Sequence, residues 1–153
     1  MSRSLHRLGA TLFATTVALA ALGGCSGPAP IGNPGSGMCL DVVNQGVPQP
    51  GTPVLAKACD AAQNQRWAFG GTGRITGPGG LCMDVQGGIG RPGARVIYMP
   101  CTGALSQFWT AAAGGIVGVG DLCLDTEGGQ LAPGTPLVLN ICRDVPSQRW
   151  AVR

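Results

Sequence analysis

A block of about 41 residues occurs three times in this chain, and that repeat restricts the fold more than any other feature. The stretch CLDVVNQGVPQPGTPVLAKACDAAQNQRW, from Cys39 to Trp67, returns as CMDVQGGIGRPGARVIYMPCTGALSQFW from Cys82 to Trp109. It returns again as CLDTEGGQLAPGTPLVLNICRDVPSQRW from Cys123 to Trp150. Each copy sets an Asp two residues after its first Cys: Asp41, Asp84 and Asp125. A Pro-Gly pair then leads into an apolar run that ends at a second Cys: Cys59, Cys101 or Cys142. A Trp follows eight residues later, with Gln65, Gln107 and Gln148 two places before the three Trp.

Short apolar runs alternate with Gly/Pro turns, and no helical period extends through the repeats, so the chain reads as all-β. Each repeat offers four short strands, which in the first are Cys39–Val43, Thr52–Cys59, Arg66–Phe69 and Arg74–Thr76. About twelve strands of this kind remove their exposed edges by closing into a barrel. The repeats are expected over about 38–77, 78–118 and 119–153. Ile75 and Ile116 each precede the next Cys by seven residues, and Ile31 precedes Cys39 by eight. The segment around Ile31 is therefore expected to supply the strand that the third repeat lacks and to close a domain of residues 31–153.

The N-terminus reads as a targeting segment rather than as fold. Arg3 and Arg7 precede an apolar stretch, Leu8 to Leu22, that is short for a bilayer span. It ends in Leu22-Gly23-Gly24-Cys25, which resembles a bacterial lipobox. Residues 1–24 are thus expected to be a lipoprotein signal peptide, with a lipid on Cys25. Residues 25–37, rich in Gly, Pro and Ser, would be the linker from that anchor. The expected location is the cell membrane, lipid-anchored on its extracytoplasmic side.

Cysteine usage agrees with export. Seven Cys are an odd number; the repeat pairs six, and the seventh stands at the lipidation position. Six Cys allow fifteen pairings. The repeat makes the local one most economical: Cys39–Cys59, Cys82–Cys101 and Cys123–Cys142. A zinc site is disfavoured, because the single His is His6 in the leader and no two Cys lie at short metal-site spacing. No cofactor is expected. Nor is an enzyme: without His beyond the leader no Ser–His or Cys–His pair can be built. Asp41, Asp84 and Asp125 occupy repeat-related places that would lie far apart, not facing one another as glycoside hydrolysis requires. Beyond Cys25, eight Lys/Arg face seven acidic residues, which argues against nucleic acid as partner.

Three copies of Cys-x-Asp, Cys and Gln-x-Trp at this spacing resemble the ricin B-type, or Gln-x-Trp, β-trefoil lectins, over the whole span from Ile31 to Arg153. The resemblance implies a β-trefoil with one shallow sugar site per repeat. The early Asp would accept from sugar hydroxyls, an aromatic two residues before the second Cys would stack on the ring, and an Asn three before the Trp would add a contact. The Gln would orient the Asp, and the Trp would be core. Here the set is incomplete. Asn64 is followed by Ser106 and Ser147 in the later repeats, and the stacking position holds Lys57, Met99 and Asn140. Tyr98 adjoins Met99, but Ala56 and Leu139 stand at its equivalents, so it is expected in the core.

Two roles stay open for the three Asp: sugar contact, or a bond to turn amides in their own repeats. The expected function is an envelope-anchored, non-catalytic carbohydrate-binding protein, a monomer, with partly degenerate sites. The candidate site residues are Asp41, Lys57, Asn64, Gln65, Asp84, Gln107, Asp125, Asn140 and Gln148. The glycan would be acidic or a cell-envelope polysaccharide, and Lys57 points to an acidic sugar on the first repeat. The alternative is a β-trefoil scaffold for protein–protein contact without sugar binding.

Overall fold

The computed structural model describes residues 27–42 and 49–153. The leader and Cys25 lie outside the described residues. Twelve strands follow one another: β1 (Ala29–Gly32), β2 (Met38–Val42), β3 (Thr52–Ala58), β4 (Arg66–Phe69), β5 (Ile75–Thr76) and β6 (Cys82–Val85). They continue as β7 (Val96–Met99), β8 (Thr110–Ala112), β9 (Gly115–Gly118), β10 (Leu122–Thr126), β11 (Thr135–Asn140) and β12 (Ala151–Val152).

The pairing repeats three times, as the sequence does. β2–β3, β6–β7 and β10–β11 are antiparallel hairpins that place Asp41, Asp84 and Asp125 opposite Leu55, Ile97 and Val138. The second strands of these hairpins meet one another: Thr52 lies opposite Tyr98, Thr135 opposite Ala56, and Arg95 bridges to Val138. β4 pairs with β5 and β8 with β9. The third such pair joins the two ends of the chain, because Ile31 and Gly32 of β1 lie opposite Val152 and Ala151 of β12. The Arg153 amide donates to the Pro30 carbonyl at 2.9 Å, and Asn33 Nδ2 donates to the Pro146 carbonyl at 2.7 Å. This is a β-trefoil of three four-stranded repeats, as the sequence predicts.

The core is built of three-fold layers. Ile31, Ile75 and Ile116 form one; Leu40, Met83 and Leu124 another; Val54, Val96 and Leu137 a third; all are buried. Trp67, Trp109 and Trp150 complete the set, each no more than 2% exposed. Trp67 donates its indole N–H to the Leu40 carbonyl at 2.9 Å, and Trp109 to that of Met83 at 3.0 Å. Gly77 and Gly118 pack on these two rings so tightly that a Cβ there would come within 3.0 Å of Trp67 and 2.7 Å of Trp109. The third seam differs: Asn33 stands at that place, and Trp150 donates instead to the Ser147 carbonyl at 2.8 Å.

Tyr98 is buried in the core, as expected. It meets Trp67 edge-to-face at 5.6 Å, and its hydroxyl donates to the Pro78 carbonyl at 2.6 Å. Burial pushes its phenol up to about 12. The bridges are Cys39–Cys59, Cys82–Cys101 and Cys123–Cys142, each within one repeat. Each closes a loop of 19 or 20 residues, worth about 3 kcal/mol in the chain-entropy account.

One core layer breaks the pattern. Val42 and Val85 are matched in the third repeat by Thr126, fully buried, whose Oγ1 has no hydrogen-bond partner among the described residues. An unpaired hydroxyl in an apolar layer costs about 1 to 3 kcal/mol. Thr126→Val restores the layer with nearly the same shape. It is expected to raise stability by about 1 kcal/mol, read as a higher denaturant midpoint with unchanged slope; a drop would show that the hydroxyl is satisfied.

Candidate functional site

The Gln of each Gln-x-Trp ends a single 3-10 turn (63–65, 105–107 and 146–148) and is buried, with the core Trp two residues beyond it. A primary amide there must find partners for two N–H groups and one oxygen. Gln65 Nε2 donates to Asp41 Oδ2 at 3.0 Å and to the Ala58 carbonyl at 2.9 Å, and its Oε1 accepts from the Asp60 amide at 3.0 Å. Gln107 donates to Asp84 and the Pro100 carbonyl at 2.9 and 2.8 Å and accepts from the Thr102 amide at 2.8 Å. Gln148 donates to Asp125 and the Ile141 carbonyl at 3.0 and 2.9 Å and accepts from the Arg143 amide at 2.7 Å. In every repeat one side chain therefore ties the early Asp to the backbone on both sides of the second Cys.

The nine sequence-predicted site residues fall into three separate groups, one per repeat. In the first, Asp41 is 1% exposed. Its Oδ1 accepts from Asn64 Nδ2 at 2.8 Å, and Lys57 Nζ stands 3.8 Å from its Oδ2. The Lys57 charge thus already faces a carboxylate. In the second, Asp84 is more open, and its Oδ1 accepts from the Val85 amide. Met99 is half-buried at the stacking position, and Gln107 completes the group.

In the third repeat Asp125 is 4% exposed. Its Oδ1 accepts from the Thr126 amide at 2.7 Å, and Asn140 Nδ2 reaches its Oδ2 at 3.2 Å. Asn140, at the stacking position, thereby does from strand β11 what Asn64 does from a turn. Sequence reasoning counted Asn140 among the candidate residues but placed the amide beside the Asp only three residues before the Trp, and did not foresee that Asn140 would take that part. Aligning β11 with β3 on the same face of the hairpin would have shown it.

A cleft of about 570 Å³ opens over this third group. It is lined by the polar Asp125, Asn140, Ser147 and Gln148, by the apolar Leu131 and Val145, and by Arg143. That size lies within the range of small-molecule sites. The carboxylate has about four acceptor positions, of which Thr126, Asn140 and Gln148 take three. The arrangement offers one carboxylate lone pair, a carboxamide and a hydroxyl, which is a set suited to neighbouring hydroxyls of a ligand. Among the described residues no group of three or more His, Cys, Asp or Glu is placed to hold a metal ion.

The sequence model of the ricin-type beta-trefoil lectin domain matches residues 28–150. The chain belongs to this lectin family. Its fold is similar to that of ThreeFoil, a designed 3-fold symmetric protein, with a TM-score of 0.74 at 23% identity over 84% of this chain and 99% of that one. It is similar also to the C-half of the earthworm R-type lectin, solved in complex with GalNAc, with a TM-score of 0.69, 17% identity, and coverage of 84% and 98%. A third likeness is to a non-toxic homologue of type II RIPs from Momordica charantia (bitter gourd), in complex with alpha-methyl-D-galactoside. There the TM-score is 0.69 at 21% identity, over 83% of this chain and 47% of that one. No curated protein matches the chain.

Within this lectin domain the Gln bonds generate a stability prediction. Gln65→Ala leaves the Asp41 carboxylate, the Ala58 carbonyl and the Asp60 amide without their shared partner. It is expected to cost about 3 kcal/mol. Gln63→Ala, an exposed change on the same turn, is expected to stay within about 0.5 kcal/mol. Chemical unfolding under oxidising conditions checks both, and equal effects would refute the central role given to Gln65.

Proposed function

We propose that this lectin-family domain binds carbohydrate without catalysing a reaction, and that the third repeat carries its main sugar cleft. The observation that supports this most is the open cleft over Asp125, whose carboxylate Gln148 and Asn140 hold in place. A carboxylate fixed by buried donors meets sugar hydroxyls without having to reorganise. The same fixation suits recognition better than proton transfer, because each Asp is committed to its amide partners. The relatives solved with GalNAc and with a galactoside lend support at the level of ligand class. No ring stacks in any repeat, so affinity for a single sugar should be weak, about millimolar. Asp41, Lys57, Asn64 and Gln65 form a second, weaker candidate on the first repeat.

The test is titration of galactose and GalNAc against wild type, Asp125→Asn and Asp84→Asn. Binding is expected to be lost with Asp125→Asn, the fold being checked by the indole signals, and kept with Asp84→Asn. Binding indifferent to Asp125→Asn, or a blank glycan array, would overturn the reading. A blank array would favour a scaffold for protein–protein contact, to which the second repeat lends some support: Ile89 and Leu105 are 69% and 78% exposed.

The location proposed is the outer face of the cell membrane, through a lipid on Cys25. Among the described residues no helix is long and apolar enough to cross a membrane. Cys25→Ala is expected to move the protein from the membrane fraction to the soluble one. A processed Cys25→Ala protein that still sediments with membranes would refute the anchor.

A further inference from the structure

We infer that the sugar cleft of the third repeat is one half of a longer groove, whose other half takes the next residue of an acidic oligosaccharide, with Arg143 reading the acid between them. The inference rests on the carbohydrate reading above and extends it to chain length and charge.

A second cleft, of about 630 Å³, adjoins the first, because Arg143 and Gln148 line both. It is lined by the turn 112–115 between β8 and β9, by the bridged Cys123 and Cys142, and by the Asp144–Arg149 pair. These walls are fixed. Gly115 lies so close under the Gln148 carbonyl that a Cβ would come within 2.8 Å of that oxygen. The turn thus packs closely on the backbone of the same Gln that holds Asp125, and a preformed groove loses little entropy on binding. The first cleft has room for a single sugar by itself, which leaves the second free for the next residue of a chain.

Arg143 is placed for the acid. Its backbone amide is pinned by Gln148 Oε1 at 2.7 Å, while its guanidinium has no hydrogen-bond or ion-pair partner among the described residues. The neighbouring Arg149 is already paired with Asp144 at 2.8 Å. A free guanidinium presents a planar fork that matches a carboxylate or sulfate. This cation is peculiar to the third repeat, since the residues that follow the second Cys elsewhere are Asp60 and Thr102. The contrast also bears on the first repeat. There the site's cation, Lys57, already stands 3.8 Å from Asp41, whereas the Arg143 guanidinium is unpaired among the described residues although Asp125 and Asp144 line the same two clefts. The acidic sugar expected beside Lys57 is better served beside Arg143.

The experiment titrates the oxidised protein with galactose, a neutral galactotetraose and tetragalacturonate, at low and high salt. Wild type is expected to bind tetragalacturonate about tenfold tighter than the neutral tetramer, with that advantage shrinking as salt screens the pair. Ala113→Trp fills the second cleft only; it should bring both tetramers to the level of galactose and leave galactose binding intact. Arg143→Ala should erase the preference for acid over neutral, and Arg143→Lys should restore part of it. Equal binding of the two tetramers by wild type, or tetramer binding untouched by Ala113→Trp, would overturn the groove while leaving single-sugar binding standing. Loss of galactose binding from wild type itself would instead remove the carbohydrate reading, and the groove with it.

Discussion

A buried glutamine amide, used three times, is the bond on which this molecule depends. Gln65, Gln107 and Gln148 each join a hairpin strand to the chain on both sides of a disulfide. The Trp two residues later anchors the turn that carries the Gln, and the bridge anchors the backbone that the Gln bonds. No one of these elements holds its place alone. A repeat of four short strands and few aromatics cannot bury enough surface by itself; it closes because polar satisfaction, a covalent link and one large indole coincide within a dozen residues.

The three-fold pattern is strict where the backbone requires it and loose where it does not. Ile31, Ile75 and Ile116 are identical because they share one place on the barrel. At another set of equivalent core positions, Ala56, Tyr98 and Leu139 differ widely in size, yet all three are fully buried. Symmetry also fails where the chain ends meet. Asn33 replaces the Gly that packs on the other two Trp, and bonds the Pro146 carbonyl instead. A chain closing on itself gains more from a bond across its ends there than from a third Gly against an indole.

Much of this was legible in the sequence. Repeat spacing predicts the strands, Cys pairing and the core position of Tyr98, because these depend on residues at fixed distance along one hairpin; the buried Trp is what the family resemblance implies. The seam between β1 and β12 follows from Ile31 alone. What the sequence did not disclose depends on relations between strands and between repeats. Asn140 replaces Asn64 as the Asp partner from another element, and the unpaired Thr126 hydroxyl is visible only once its layer is assembled. The cleft over Asp125 likewise gathers residues from separate segments of the chain, 125–131 and 140–148.

The two roles weighed for the three Asp are then not alternatives. Each carboxylate is first a structural acceptor, held by a Gln amide in every repeat, so it persists wherever the Gln-x-Trp turn persists. Presentation to a ligand is an addition that depends on the surroundings. Among the described residues Lys57 and Asn64 bond Asp41, the Val85 amide bonds Asp84, and Asp125 lines a cleft. The Asp of a repeat therefore reports that the repeat folds in this way, and carries little information about sugar. That information lies in the residues free to vary around it, above all at the stacking position and at the residue after the second Cys, where this chain sets Asp60, Thr102 and Arg143.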